Sequence, residues 1–178
     1  MKALLSHRSS DPRNLLGFTL VELLIVMGII GVLATFFIGS YTGVQRRARD
    51  ANRKSDLAQM SKALELYFND YRRYPAAAAD ASGKIMGCPY LLAGSTACVW
   101  DNTDQFTDNR TVYYKTVPGD PQFNLGALYL YRTNANGTYY KLYAKLENPD
   151  DPDIITVSET GCFSGSCNFA ITSGNTTP

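Results

Sequence analysis

The sequence has almost no histidine: His7 is the single one among 178 residues. It lies within a short basic leader that also contains Lys2, Arg8 and Arg13. If that leader is removed, the remaining chain has no imidazole. Histidine-based triads, histidine-ligated zinc and most general-base chemistry at neutral pH are then excluded.

Other signals of catalysis or nucleic-acid binding are also missing from the sequence. The 17 basic residues nearly balance the 16 acidic ones, which provides no general reason to expect a nucleic acid as partner. No glycine-rich phosphate loop, G-x-S-x-G elbow or Cys/His pair occurs. Asp101, Asp104 and Asp108 could act as acid–base groups, but their polar context favours an exposed turn. We therefore expect a protein that is not an enzyme.

The four cysteines are Cys88, Cys98, Cys162 and Cys167. An even number in an exported chain suggests disulfide bonds, and four cysteines allow three connectivities. The sequence does not choose among these, although pairing within each loop, 88–98 and 162–167, is the simplest. A zinc site of four thiolates is the alternative, but its usual C-x₂-C spacing is absent.

A long apolar run extends from Phe18 to Ile38. As a helix it would measure about 32 Å, enough to cross a hydrocarbon core of roughly 30 Å. Glu22 is its one charge, and no Lys or Arg lies within the run to neutralise it. An acidic side chain inside a spanning helix usually has a partner. Either another molecule supplies that partner, or Glu22 stays wet near the membrane interface.

Residues 17–34, GFTLVELLIVMGIIGVLA, resemble the class III signal of type IV prepilins. The resemblance implies a leader, residues 1–17, that stays in the cytoplasm and is cut off by a prepilin peptidase between Gly17 and Phe18. It also implies N-methylation of Phe18. Glu22 would then pair with the N-terminal amine of a neighbouring subunit during assembly, because a charge pair at low dielectric can set subunit register.

The amphipathic pattern after the apolar run predicts one helix over residues 18–73. Its apolar stripe contains, at spacings of three and four, Leu57, Met60, Leu64, Phe68 and Tyr71. Pro75 ends the pattern. We call this helix the stem, with a transmembrane half (18–40) and an amphipathic half (41–74), and residues 75–178 the head. The basic residues at 46, 47, 49, 53 and 54 are expected to form a solvated face, or to touch headgroups or neighbouring heads.

In the head, one kind of side chain alternates with another at every second position, a pattern typical of strands. Strands are predicted at 112–117, 127–133 and 138–147, with 154–158 and 168–172 as candidate edges, and the Asn136-Gly137 pair predicts a hairpin turn. The predicted fold is α+β, with a long N-terminal helix packed on a small antiparallel sheet. The run 129–148 resembles the sheet of pilins and major pseudopilins.

An acidic segment, ENPDDPD, contains Glu147, Asp150, Asp151 and Asp153. Grouped carboxylates can bind calcium, and the resemblance to major pseudopilins implies a calcium site in a head loop. The segment is not an EF-hand, and Asp-Pro repeats are also ordinary turn chemistry. Calcium is therefore the one candidate cofactor.

The expected function is that of a structural subunit of a type IV pilus. A major pseudopilin of a type II secretion system and a membrane-anchored adhesive protein that never polymerises are the alternatives. The expected partners are other copies of the chain, a prepilin peptidase, an inner-membrane assembly platform, minor pilins or pseudopilins, and the membrane. The expected location is the cytoplasmic membrane for the precursor, then a surface pilus or a periplasmic pseudopilus.

Overall fold

The computed structural model describes residues 17–178 apart from 81, 90–94, 102 and 164, and for residues 36–40 it describes the backbone alone. Most of the predicted leader lies outside the described residues. The chain divides into two units, one ending at Thr42 and one comprising Gly43–Pro178. The fold is α+β, as predicted, with a long N-terminal helix packed on antiparallel strands.

Helix α1 spans Leu20–Tyr71, close to the predicted 18–73. Its predicted stripe is confirmed, because Leu57, Met60 and Leu64 are fully buried and Phe68 and Tyr71 pack at the edge of the same core. The helix ends where Arg72 adopts a positive φ of 55°, just before Pro75. A proline disfavours helical backbone in the residue before it, so the helix could not have continued through Tyr74.

Among the head residues that the structure describes, five short strands follow: β1 Phe106–Thr107, β2 Val112–Tyr114, β3 Leu130–Thr133, β4 Tyr140–Ala144 and β5 Phe169–Thr172. Strands β3, β4 and β5 form one antiparallel sheet in that order, and β1 pairs with β2 in a separate ribbon. A single 3₁₀ turn, Phe123–Leu125, lies between β2 and β3 within the described chain.

The strand predictions need two corrections. The predicted strand 112–117 ends at Tyr114 and pairs with β1 instead of joining the main sheet, because the chain bends away before Pro118. Residues 154–158 form no strand: only Ile155 donates a backbone hydrogen bond to Asn168 (2.9 Å), so no ladder develops. The edge predicted at 168–172 is confirmed as β5, and Gly137 N bonds to Asn134 O (3.0 Å) in the predicted turn.

The sheet buries both of its faces. Tyr131, Leu142 and Phe169 face the core that the stem helix contributes to. Leu130 and Tyr143, from alternate positions, pack with the Cys162–Cys167 disulfide on the other side. The side-chain alternation of strands explains this division, and the disulfide loop serves as the cover for the second face.

Candidate functional site

The N-terminal segment begins with a capping box. Thr19 precedes the first helical residue, and its backbone N–H and its hydroxyl both donate to Glu22 Oε2 at 2.8 Å. In return, Glu22 N donates to Thr19 Oγ1 at 3.2 Å. The T-x-x-E spacing is the usual signature of this motif, and our sequence reading missed it. Glu22 therefore has a local partner in the single chain and also defines where the helix starts.

The apolar side chains after Glu22 lie on the surface of the N-terminal unit. From Phe18 to Leu33, each large apolar side chain is more than half exposed, and Phe18 is 88% exposed. A continuous apolar surface of this kind marks a site of contact with another protein or a membrane. In the part of the chain that the structure describes, no helix meets the length and hydropathy needed to cross a membrane. The transmembrane half thus stays a prediction.

Further along the same helix, Arg53 is the centre of a buried charge cluster. Its side chain is 1% exposed and binds Asp120 through two hydrogen bonds, Nε to Oδ2 (2.7 Å) and Nη2 to Oδ1 (2.9 Å). Nη1 donates to Asp50 (2.9 Å) and to Glu147 (2.7 Å). Burial alone would lower the pKa of Arg53, but the hydrogen bonds to Asp120 and Glu147 outweigh it and raise that pKa. The guanidinium therefore stays charged.

Glu147 is held by two guanidinium groups. Arg49 donates to it through Nε (2.7 Å) and Nη2 (2.6 Å), and Arg53 adds a third hydrogen bond. The bonds from Arg49 are the main reason why the pKa of Glu147 is lowered. Asp50 in turn accepts the backbone N–H of Glu147 (2.9 Å) and of Asn148 (2.8 Å). Helix α1 thus binds both the side chain and the backbone at this point of the head.

Lys54 completes the set of cations that face the head. Its ammonium lies 2.5 Å from Asp151 Oδ1 and 2.6 Å from Asp153 Oδ2. The expectation of a solvated basic face was therefore wrong for Arg49, Arg53 and Lys54. The partners of these three cations in the head lie 67 to 99 positions away in the chain, a separation at which residue spacing carries no information about contact.

The four predicted calcium ligands do not fit a calcium site in this structure. Glu147 is occupied by Arg49 and Arg53, Asp151 and Asp153 bind Lys54, and Asp150 is exposed. Among the described residues, no three acidic, histidine or cysteine side chains gather closely enough to hold a metal ion. The four carboxylates do not converge on one point, because Glu147 binds Arg49 and Arg53 whereas Asp151 and Asp153 share Lys54.

Beside its buried apolar stripe, the C-terminal part of α1 has acidic side chains that accept hydrogen bonds from tyrosine hydroxyls. The hydroxyl of Tyr129 donates to Asp56 (2.8 Å), that of Tyr74 to Glu65 (3.0 Å) and that of Tyr113 to Asp70 (2.7 Å). Burial raises the pKa of Asp56, and the Tyr129 hydrogen bond only partly offsets this. Burial likewise raises the pKa of Tyr140, whose hydroxyl contacts Ser61 at 2.7 Å, to about 12. These tyrosine side chains are thus part of the interior of the fold.

The structure confirms the two local disulfides, Cys88–Cys98 and Cys162–Cys167, and contains no free cysteine in its described part. The first closes a loop beside the aromatic core, and the second covers the outer face of the sheet. A four-thiolate zinc site is thereby excluded, since disulfide sulfurs are not thiolates.

Comparison with known proteins agrees with the N-terminal geometry. Residues 13–38 match the family model described as the prokaryotic N-terminal methylation motif. The chain is 39% identical over 64 residues to the type IV major pilin protein PilA of Myxococcus xanthus, covering 36% of this chain and 29% of that protein. It is 29% identical over 119 residues to the type II secretion system core protein G of Escherichia coli, covering 66% of this chain and 72% of that protein.

These matches support membership of the type IV pilin and pseudopilin family. A core protein G from Pectobacterium carotovorum is 37% identical over 60 residues, 34% of this chain and 38% of that protein. The chain thus covers well under two thirds of the Myxococcus and Pectobacterium proteins. No solved structure matched.

Proposed function

We propose that this chain is a structural subunit of a type IV pilus, made as a prepilin and assembled through its N-terminal helix. A prepilin peptidase removes residues 1–17, cutting between Gly17 and Phe18, and Phe18 is then N-methylated. The precursor sits in the cytoplasmic membrane as a single-pass protein through residues 18–40. The assembled subunit lies in a surface filament whose motor, platform and minor subunits are separate proteins.

One observation supports this proposal: directly after the cleavage motif lies an exposed apolar helix, in whose first turn the Glu22 carboxylate is hydrogen-bonded to Thr19. Phe18 is almost fully exposed, and Glu22 is the one acidic residue of the apolar run. Side chains such as these leave a large apolar area uncovered, and packing against identical helices would cover it. The supported role is therefore mechanical and requires no catalytic group in the chain.

The capping box gives Glu22 a role before and after assembly. In the precursor, Thr19 supplies two donors to the carboxylate, which reduces the cost of placing it at the membrane. After cleavage, the new amine of Phe18 provides a positive charge at the residue directly before the capping residue, Thr19. We propose that the amine of one subunit then pairs with Glu22 of its neighbour and sets the register between them.

A second candidate function is that of a major pseudopilin in type II secretion. The match to core protein G of Escherichia coli extends over 119 residues and so includes part of the head, whereas the pilin match covers 64. In favour of the pilin are the two disulfides and the lack of a fit to calcium in the described head, a site that the resemblance to major pseudopilins had implied.

The test is mass spectrometry of the N-terminal peptide, applied both to filaments sheared from the cell surface and to membranes. Methylated Phe18 in sheared material is the expected result for a pilin. Methylated Phe18 found in membranes alone would favour the pseudopilin. An intact leader in every fraction, with the peptidase present, would overturn the proposal and leave a membrane-anchored protein that does not polymerise.

A further inference from the structure

The acidic turn formed by residues 147–153 is organised around one ammonium group. Lys54 Nζ lies 2.5 Å from Asp151 Oδ1 and 2.6 Å from Asp153 Oδ2, and so bridges two carboxylates of the same turn. Asp151 Oδ1 also accepts the backbone N–H of Asp153 (3.0 Å), and Ile154 N donates to Asp151 O (3.2 Å). The ammonium and the turn's own hydrogen bonds thus meet at one residue, Asp151, through its carboxylate and its backbone carbonyl.

We propose that Lys54 is the built-in structural cation of this turn, so that the head closes the turn without a divalent metal ion. Two carboxylates held side by side repel each other unless a positive charge lies between them. Calcium would meet that need with oxygen ligands at 2.3–2.6 Å. Here the ammonium already lies between the two oxygens and donates a hydrogen bond to each.

The position of the ammonium is determined by more than its two acidic partners. Lys54 Nζ lies 5.9 Å from the centre of the Phe169 ring, within the range of a cation–π contact, and that ring is 8% exposed. Lys54 also follows Arg53 directly, so its backbone is held by the buried cluster around Asp120. An ordinary surface lysine would have neither constraint.

The other acidic residues of the segment cannot readily recruit a metal ion in place of Lys54. Glu147 accepts three hydrogen bonds from Arg49 and Arg53, and Asp150 is exposed. A calcium ion needs six to eight oxygen ligands. At this turn, a calcium ion would have to displace the Lys54 ammonium before it could reach the carboxylates of Asp151 and Asp153. Removing the ammonium would free both carboxylates, and with water molecules as the remaining ligands they should form a weak calcium site that the natural chain does not have.

The experiment compares thermal unfolding of the purified full chain in detergent micelles, in EDTA and in millimolar calcium chloride, followed by near-ultraviolet circular dichroism of the head. For the natural chain we expect the same midpoint in both buffers. For Lys54→Met we expect a midpoint lower by roughly 2–4 °C in EDTA and recovered in calcium. Lys54→Met combined with Asp151→Asn and Asp153→Asn should lose that recovery.

Lys62→Met is the matched control, because Lys62 lies exposed on the same helix and has no ion pair among the described residues. Its midpoint should equal that of the natural chain in both buffers. A natural chain that gains stability from calcium would overturn the proposal, and this arm does not depend on any variant folding. A Lys54→Met chain that folds but ignores calcium would overturn it as well.

Discussion

At the scale of single residues, the charge balance of the stem–head contact depends on Arg53. Three carboxylates, Asp50, Asp120 and Glu147, accept hydrogen bonds from its guanidinium, and the first two are nearly inaccessible to water. A planar guanidinium can satisfy several carboxylates at once, which a lysine ammonium of the same charge cannot do with this geometry. The carboxylates would repel each other without it.

We expect Arg53→Met to destabilise the head by about 3–5 kcal/mol, because it removes one member of a buried ion cluster and leaves the others unpaired. Urea unfolding of the full chain in micelles, followed by the fluorescence of the buried Trp100, measures this. Arg46→Met is the control: Arg46 is exposed on the same helix, and its loss should change the stability by less than about 0.5 kcal/mol. Equal costs for the two variants would contradict the role of Arg53.

Glu147 makes the stability of the head depend on pH. Its pKa is lowered in the folded state, chiefly by the hydrogen bonds from Arg49, so its contribution is present above its ordinary value of 4.5 and is lost as the pH falls below it. Glu147→Gln should therefore be less stable than the natural chain at pH 7. The difference between the two should shrink as the pH is lowered below about 4.5.

Urea unfolding at a series of pH values between neutral and acidic measures this difference. Lys62→Met serves as a reference, because it changes no carboxyl group and should differ from the natural chain by a constant amount. A difference for Glu147→Gln that stays constant through the acidic range would show that the bonds from Arg49 and Arg53 do not stabilise the charged carboxylate.

At the scale of elements, the tip of the β3–β4 hairpin is attached to the end of helix α1. Tyr74 N donates to Gly137 O (2.8 Å) just after the helix ends. Gly137 has a φ of +62°, and a Cβ at this position would lie 2.6 Å from Tyr74 O. Glycine is required here for two reasons, its left-handed backbone and the close approach of another backbone segment.

Gly137→Ala should therefore destabilise the head by roughly 1–3 kcal/mol, a cost typical of a strained backbone that the surrounding fold has to enforce. Gly126→Ala is the matched control. Gly126 also has a positive φ, +89°, but a Cβ there would meet nothing within 4 Å. If both variants lose the same stability in urea unfolding, the contact with Tyr74 has no effect and backbone conformation alone explains the cost.

At the scale of the whole molecule, the proposed filament depends on the charge of Glu22 and not only on its capping role. Glu22→Gln keeps a side chain that can complete a capping box but removes the charge. Thr19→Ala keeps the charge but removes the cap, at a cost of about 1 kcal/mol to the helix end. The two variants therefore separate the two roles of this site.

We expect Glu22→Gln to insert and be processed but to lose most of its sheared filaments, while Thr19→Ala still assembles. Immunoblots of sheared and membrane fractions measure both outcomes. Normal filaments in Glu22→Gln would count against the proposed pairing with the Phe18 amine. If Thr19→Ala loses its filaments and Glu22→Gln does not, assembly depends on the helix cap and not on the charge of Glu22.

The sequence by itself determined the local features of this protein. The period of the stem stripe, the proline at its end and the hairpin turn each depend on residues a few positions apart, and all of these are confirmed. The cysteine connectivity was left open by the sequence, and the structure shows the simplest of the three pairings. The capping box at Thr19 could have been predicted in the same way. The prepilin motif is also contiguous, which is why it was recognisable without any structure.

Only the tertiary structure decided which distant charges meet. Apart from Asp50, which lies on the helix itself, the partners of Arg49, Arg53 and Lys54 lie in two segments of the head, up to 99 residues away, and no local pattern encodes such pairs. The same holds for β2, which left the main sheet to pair with β1, and for the acidic turn, whose carboxylates bind Lys54 instead of grouping around a metal ion. Spacing along a chain predicts contact only within one helix or hairpin; beyond that range, the packing of the core determines which side chains come together.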